Sequence, residues 1–243
     1  MPVEISVTAF AFVLVMVTFG ALIQGSIGFG LGFAAAPAMT LIRPEAVPAT
    51  LLILTIPMVV IIALRERSSI NVRGFLLITA GRIPGTLAGV LILVVVPASL
   101  LAVVLGLLIL AGVIMSNIGT SFELRDRNQF IAGLASGIMG TAAGIGGPPV
   151  ALVYQNRPGA ELRSTLSLAF VVGVIMSLVA LALAGKVQEW HALFAFELLP
   201  GLLLGVLASN FAAPFLDKRW LRPAVLIFAA VSAVIVVVKG IAG

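Results

Sequence analysis

Most residues able to do chemistry lie in two glycine-rich stretches, Gln24-Gly25-Ser26-Ile27-Gly28-Phe29-Gly30-Leu31-Gly32 and Gly140-Thr141-Ala142-Ala143-Gly144-Ile145-Gly146-Gly147-Pro148-Pro149. The chemistry they offer is anion binding by main chain. Gly146-Gly147 followed by Pro148-Pro149 must interrupt a helix, because proline lacks an N–H donor and its ring clashes with the preceding turn. A helix that begins again past the interruption presents free N–H groups and the positive end of its dipole to a negative charge. Gly25, Gly28, Gly30, Gly144, Gly146, Gly147 and Pro148 are therefore the expected contact surface. Gln24, Ser26 and Thr141 stand beside it with side chains able to hydrogen-bond. Unwound backbone in hydrocarbon leaves polar groups unpaired at several kcal/mol each, so such breaks survive only inside protein or around a polar cavity.

Arg82 is the second chemical signal. It lies nine residues beyond Arg73 in an apolar run, about 14 Å along a helix and so near the middle of a span. A central arginine costs about 2.5–3.5 kcal/mol on insertion scales, so the side chain is expected to face the interior. Three readings stand: a cationic contact for an anionic solute, an ion pair with Glu197, or a place nearer an interface. Glu197 is the only acid well inside an expected span, as a proton-coupling carboxylate or as the partner of Arg82. Gly85, Gly89, Gly201 and Gly205 read as close helix packing, and Asn117, Asn210 and Ser167 as interhelical hydrogen-bonding residues without a further role. Arg65-Glu66-Arg67 reads as a solvated turn, and Asp217-Lys218-Arg219-Trp220 as a cytoplasmic loop with an aromatic anchor.

The elements holding these residues are transmembrane helices. The chain has 243 residues, 61% hydrophobic and 9% charged, with a mean hydropathy of +1.26, against roughly 25% charged residues in soluble domains. The net charge of +5 lies in short loops and reports orientation, not nucleic-acid binding. Cysteine is absent, so disulfides, thiol catalysis and thiolate metal sites are excluded. The lone histidine, His191, is placed in a loop beside Trp190. It is too little for a metal cluster, and neither metal nor cofactor is expected. Met1 to Ile23 lacks a basic n-region and reads as a retained first helix.

Against the ~20 residues that cross a bilayer, spans are expected at 4–23, 45–64, 73–96, 98–117, 128–140, 160–184, 192–215 and 221–240. Shorter apolar segments follow the breaks at 28–42 and 144–155. Ile5 to Ile42 as one helix would run about 57 Å, so the chain must fold back. Arg43-Pro44-x-Ala46 matches Arg157-Pro158-x-Ala160, and Pro84-Gly85-x-x-x-Gly89 matches Pro200-Gly201-x-x-x-Gly205. Two matches in the same order at nearly one offset indicate duplication: residues 1–120 with a break at 24–32, and 121–243 with a break at 140–149. If each broken segment crosses once, the basic residues divide without bias. If each break is a hairpin tip, Arg65, Arg67, Arg73, Arg125, Arg127, Arg157, Arg163, Lys218, Arg219 and Arg222 share one face, and Arg43, Lys186 and Lys239 the other. The hairpin arrangement obeys the positive-inside rule, and both termini are then non-cytoplasmic. The expected fold is an all-α polytopic membrane protein of two inverted-topology repeats, each a broken helix or hairpin followed by three transmembrane helices.

Gly144-Ile145-Gly146-Gly147-Pro148, preceded by Ile131-Ala132-Gly133-Leu134-Ala135-Ser136-Gly137, resembles the signature of the sulfite exporter TauE/SafE family over essentially the whole chain. The first copy departs from it, with Gly28-Phe29-Gly30-Leu31-Gly32, proline delayed to Pro37 and no Gly-Gly pair, so the two halves of the site are expected to differ. The resemblance implies an inner-membrane carrier exporting sulfite or an organosulfonate. Alternating access at the glycine breaks and Arg82 is the expected mechanism. A passive anion channel and a proton-coupled importer of a small organic anion are the alternatives, and an assembly subunit would explain neither the breaks nor Arg82. An intramembrane enzyme lacks a catalytic set. The partners expected are a small anion and lipid, not nucleic acid, with homo-oligomerisation open.

Overall fold

The structure, a computed structural model, describes residues 5–117, 122–212 and 218–242. Their regular elements are all helical: α1 (Val7–Ile27), α2 (Leu31–Ile42), α3 (Ala49–Arg65), α4 (Val72–Val95), α5 (Ala98–Asn117), α6 (Asp126–Ala143), α7 (Gly147–Tyr154), α8 (Gly159–Leu183), α9 (Glu189–Ala212) and α10 (Lys218–Ala242). Helices α1, α4, α5, α8 and the Glu189–Asn210 part of α9 are long and apolar enough to cross a membrane. The all-α polytopic expectation holds.

Helix α4 shows how side chains sort when the surrounding solvent is apolar. Leu76, Ile83, Leu87, Leu91 and Val94 are exposed along one face, while Gly81, Arg82, Gly85, Thr86 and Gly89 are buried on the other. Small residues inside let backbones approach where no hydrophobic force drives helices together. A methyl group at Gly85 would strike the Leu134 carbonyl of α6, and one at Gly133 the Ile78 carbonyl of α4. The same device joins α9 to α1, where Gly201 and Gly205 face Leu14, Thr18 and Ala21. Helix α4 thus packs on α6 and α8, and α9 on α1 and α3, while α10 covers α2, α5 covers α7, and α5 meets α10.

Both glycine stretches break the chain, over fewer residues than 24–32 and 140–149. Gly28 closes α1 at φ +95°, its N–H donating to the Gln24 carbonyl at 2.7 Å, and Gly144 closes α6 at φ +71°, donating to the Gly140 carbonyl at 3.0 Å. Only glycine adopts this left-handed cap without a steric cost, and one such residue ends a helix at once. Gln24–Ile27 and Gly140–Ala143 therefore finish helices, and Gly147 to Pro149 already belong to α7, with proline in its first turn. Past each break the chain folds back: Leu31 and Ala34 lie against Gly20, and Gly146 lies against Ser136.

Polar contacts join helix ends that are distant in sequence. Arg163 donates to both Glu66 carboxylate oxygens at 2.9 and 3.0 Å, Asn71 to Glu161 at 3.1 Å, Arg157 pairs with Glu161, and Arg73 with Asp126. These bonds bring Arg73, Arg157 and Arg163 to one end of the bundle, with Arg65 bonded to Asn210 and Glu66. The turn at 65–67 is consequently not merely solvated: Arg65 and Glu66 knit α3 to α8 and α9, and Asn210 has a defined partner. His191 is likewise not in a loop. It is buried in the first turn of α9, stacked on Trp190 with 3.8 Å between rings, and its Nε2 lies 3.0 Å from the Glu45 carbonyl oxygen. Trp190 also receives Arg43 on its ring face at 4.8 Å. The boundary at 120/121 and Asp217 lie outside the described residues, whereas Lys218, Arg219 and Trp220 begin α10 rather than a loop.

Candidate functional site

The two breaks meet. Gly32 of α2 lies against the Gly144 carbonyl, and Gly147 of α7 against Phe29, so no side chain fits where the segments cross. Around this crossing is a cavity of about 40 Å³. The first break contributes Gln24, Phe29, Gly30 and Gly32 to its wall, and the second contributes Gly140 and residues 144–148. Phe33, Leu52, Thr55, Phe170, Val174 and Arg82 complete the lining. A water requires about 10–15 Å³ on this measure, so the space suits a solute of a few heavy atoms.

Arg82 enters from the middle of α4 and is 1% exposed. Its Nη1 donates to Ser136 Oγ at 2.7 Å, and that hydroxyl donates to the Gly146 carbonyl at 2.6 Å. One serine on α6 thereby aims the guanidinium and ties down the approach to α7. Arg82 Nε is buried without a hydrogen-bond partner. Phe170 of α8 presents its ring face 5.5 Å from the guanidinium carbon. At Gly173 a methyl group would overlap the guanidinium, so the side chain occupies space that only glycine leaves open.

The ion-pair reading of Arg82 and Glu197 is corrected. None of the salt bridges among the described residues involves either side chain. Glu197 is half-buried on α9, which packs on α1 and α3, whereas Arg82 faces α6 and α8. Glu197 also lies off the cavity wall. A match in local sequence does not bring two helices together: α4 and α9 pack on different neighbours.

Of the expected contact residues, Gln24, Gly30, Arg82, Gly144, Gly146, Gly147 and Pro148 line the cavity, while Gly25, Ser26, Gly28 and Thr141 do not. Gly25 packs on Ser209, and its carbonyl accepts from Arg65 at 2.9 Å. Gly28 faces Leu162 and Arg163. Ser26 Oγ donates to the Leu22 carbonyl at 2.8 Å, and Thr141 Oγ1 meets Ser177 Oγ at 2.6 Å. Gln24 Oε1 accepts the Leu31 N–H at 3.0 Å, filling one of the free donors of α2. Sequence reasoning missed Ser136, Gly173 and the aromatic walls. Ser136 stood within the quoted signature run; Phe170 and Gly173 carried no local signal, because a helix 90 residues away gives them their meaning.

The fold is that of a multi-pass helical membrane protein, with a cavity where its two helix breaks meet. Residues 12–236 match the sequence model of the family described as sulfite exporter TauE/SafE. The chain belongs to that family and is a membrane transporter of the sulfite and anion type. No curated protein and no solved structure matches it.

Proposed function

We propose that this protein exports a small sulfur-containing anion, sulfite or an organosulfonate, across the cell inner membrane by alternating access. The observation that carries the reading is the convergence on a single cavity of both helix breaks and a buried arginine that forms no salt bridge among the described residues. The anion is held by Arg82, by the Gly147 N–H at the start of α7, where Pro148 and Pro149 carry no donor, and by the glycine backbone of both breaks. Export needs no coupling ion: an inside-negative potential favours outward movement of one negative charge by about 2.3 kcal/mol per 100 mV. Glu197 is not among the residues lining the cavity, which favours uniport over proton-coupled uptake.

Two inverted repeats, α1–α5 and α6–α10, supply the moving parts, with both termini non-cytoplasmic. The pairing of helices supports this division, since exchanging the halves turns the α4–α6 contact into α9–α1, α4–α8 into α9–α3, and α2–α10 into α7–α5. Proteoliposomes loaded with radiolabelled sulfite test the reading. Saturable efflux, accelerated by unlabelled sulfite outside, is expected. Flux that rises linearly and shows no counter-flow would indicate a channel, and no flux of sulfite or any sulfonate would sink the substrate class.

A further inference from the structure

We propose that the cavity selects its solute by charge state, taking a small oxyanion with one negative charge and rejecting a dianion of similar size. Of sulfite's two forms, bisulfite is then the one bound. This rests on the cavity being the anion site.

Arg82 is the one ionisable residue on the cavity wall, and no acid among the described residues pairs with it. The charged groups on α4 and on the helices packed against it are Arg73, Asp126, Arg127, Glu161 and Arg163. All stand within the first five residues of their helices, nine or more residues before Arg82, Ser136 and Gly173, which is about 14 Å or more along each helix. Arg73 is bound to Asp126 and Arg163 to Glu66.

The helix ends do not add a second unit of positive charge. Each break finishes one helix and starts another within three residues, α1 to α2 across 28–30 and α6 to α7 across 144–146. The negative end of one dipole therefore offsets the positive end of the next. At the first break the Leu31 N–H is already taken by Gln24. What remains is a single guanidinium, with its Nε unpartnered. A monoanion neutralises it, whereas a dianion leaves an uncompensated negative charge in a buried site, the costly outcome.

The test is thermal unfolding of the purified full chain with nitrate, sulfate and sulfite at matched ionic strength. Nitrate is a monoanion and sulfate a dianion at all working pH, while sulfite loses its second proton close to neutrality. Nitrate is expected to stabilise equally at every pH, and sulfate not at all. The apparent affinity for sulfite should fall about tenfold for each pH unit above that proton's pKa, as the monoanion does. Sulfate matching nitrate, or sulfite affinity flat or rising with pH, overturns charge-state selection and leaves the anion site standing. If no anion stabilises the wild type, or if folded Arg82→Gln keeps the shifts, both the site and the selection fall. Where Arg82→Gln does not fold, Arg82→Lys keeps the charge and is expected to keep the preference for nitrate over sulfate; loss of that preference overturns the proposal.

Discussion

At the scale of single residues, Ser136 decides whether Arg82 is a site or a misplaced charge. Its hydroxyl is both acceptor for the guanidinium and donor to the Gly146 carbonyl, and it is fully buried. Ser136→Ala leaves both partners short of a bond, at about 1–3 kcal/mol for a buried polar group stranded without its mate. The expected outcome is a lower melting temperature together with weakened anion stabilisation; unchanged anion affinity would remove Ser136 from the site. Arg82→Gln should behave differently. Holding an unpaired charge in the interior costs several kcal/mol, so the anion-free variant should melt no lower than wild type while losing its response to anions. A large drop in anion-free stability would mean that Arg82 is a structural residue.

Among the elements, the crossing of α4 and α6 carries the arginine and its serine, and glycine sets the distance between these helices. Gly85→Ala pushes a methyl group into the Leu134 carbonyl, which belongs to rigid backbone, so the helices must separate, at about 1–3 kcal/mol. Because α6 also bears Ser136, anion binding should weaken with stability. Gly185, at φ +69° beyond α8 with nothing within 4 Å of an added methyl, supplies the contrast. Gly185→Ala should cost about 1–2 kcal/mol of backbone strain and leave anion affinity unchanged. Equal loss of binding in the two variants would show that destabilisation alone, not helix spacing, governs the site. A third substitution, Gly173→Ala, displaces the guanidinium directly and should abolish anion stabilisation in a protein that still folds.

For the molecule as a whole, the fold-back at both breaks predicts which loops share a side. The chain has no cysteine, so single cysteines introduced at exposed positions report sidedness without background. Arg67→Cys and Arg127→Cys should react with an impermeant maleimide from one side of the membrane, and Lys186→Cys from the other. If positions 67 and 127 label from opposite sides, the hairpin arrangement is wrong. Arg65 strengthens the expectation: it joins the Gly25 carbonyl near the end of α1 to Asn210 on α9, so the tip of the first hairpin is held at the basic end of the bundle.

Sequence alone was enough to establish a polytopic helical protein, the two interruptions and the buried arginine, because each follows from local chemistry: apolar runs of bilayer length, glycine and proline incompatible with continued helix, and a cation too costly to face lipid. The signature around Gly144 to Pro148 was local as well, and it led to the right family. What the tertiary structure decided were the partners. Arg82 bonds Ser136 and not Glu197, Arg65 reaches Gly25 and Asn210, and Ser26 and Thr141 turn away from the cavity that Phe29 and Phe170 enclose. Those outcomes depend on which face of each helix meets which neighbour. In a chain apolar all around, periodicity leaves that choice open, and it is settled by where small residues let backbones approach.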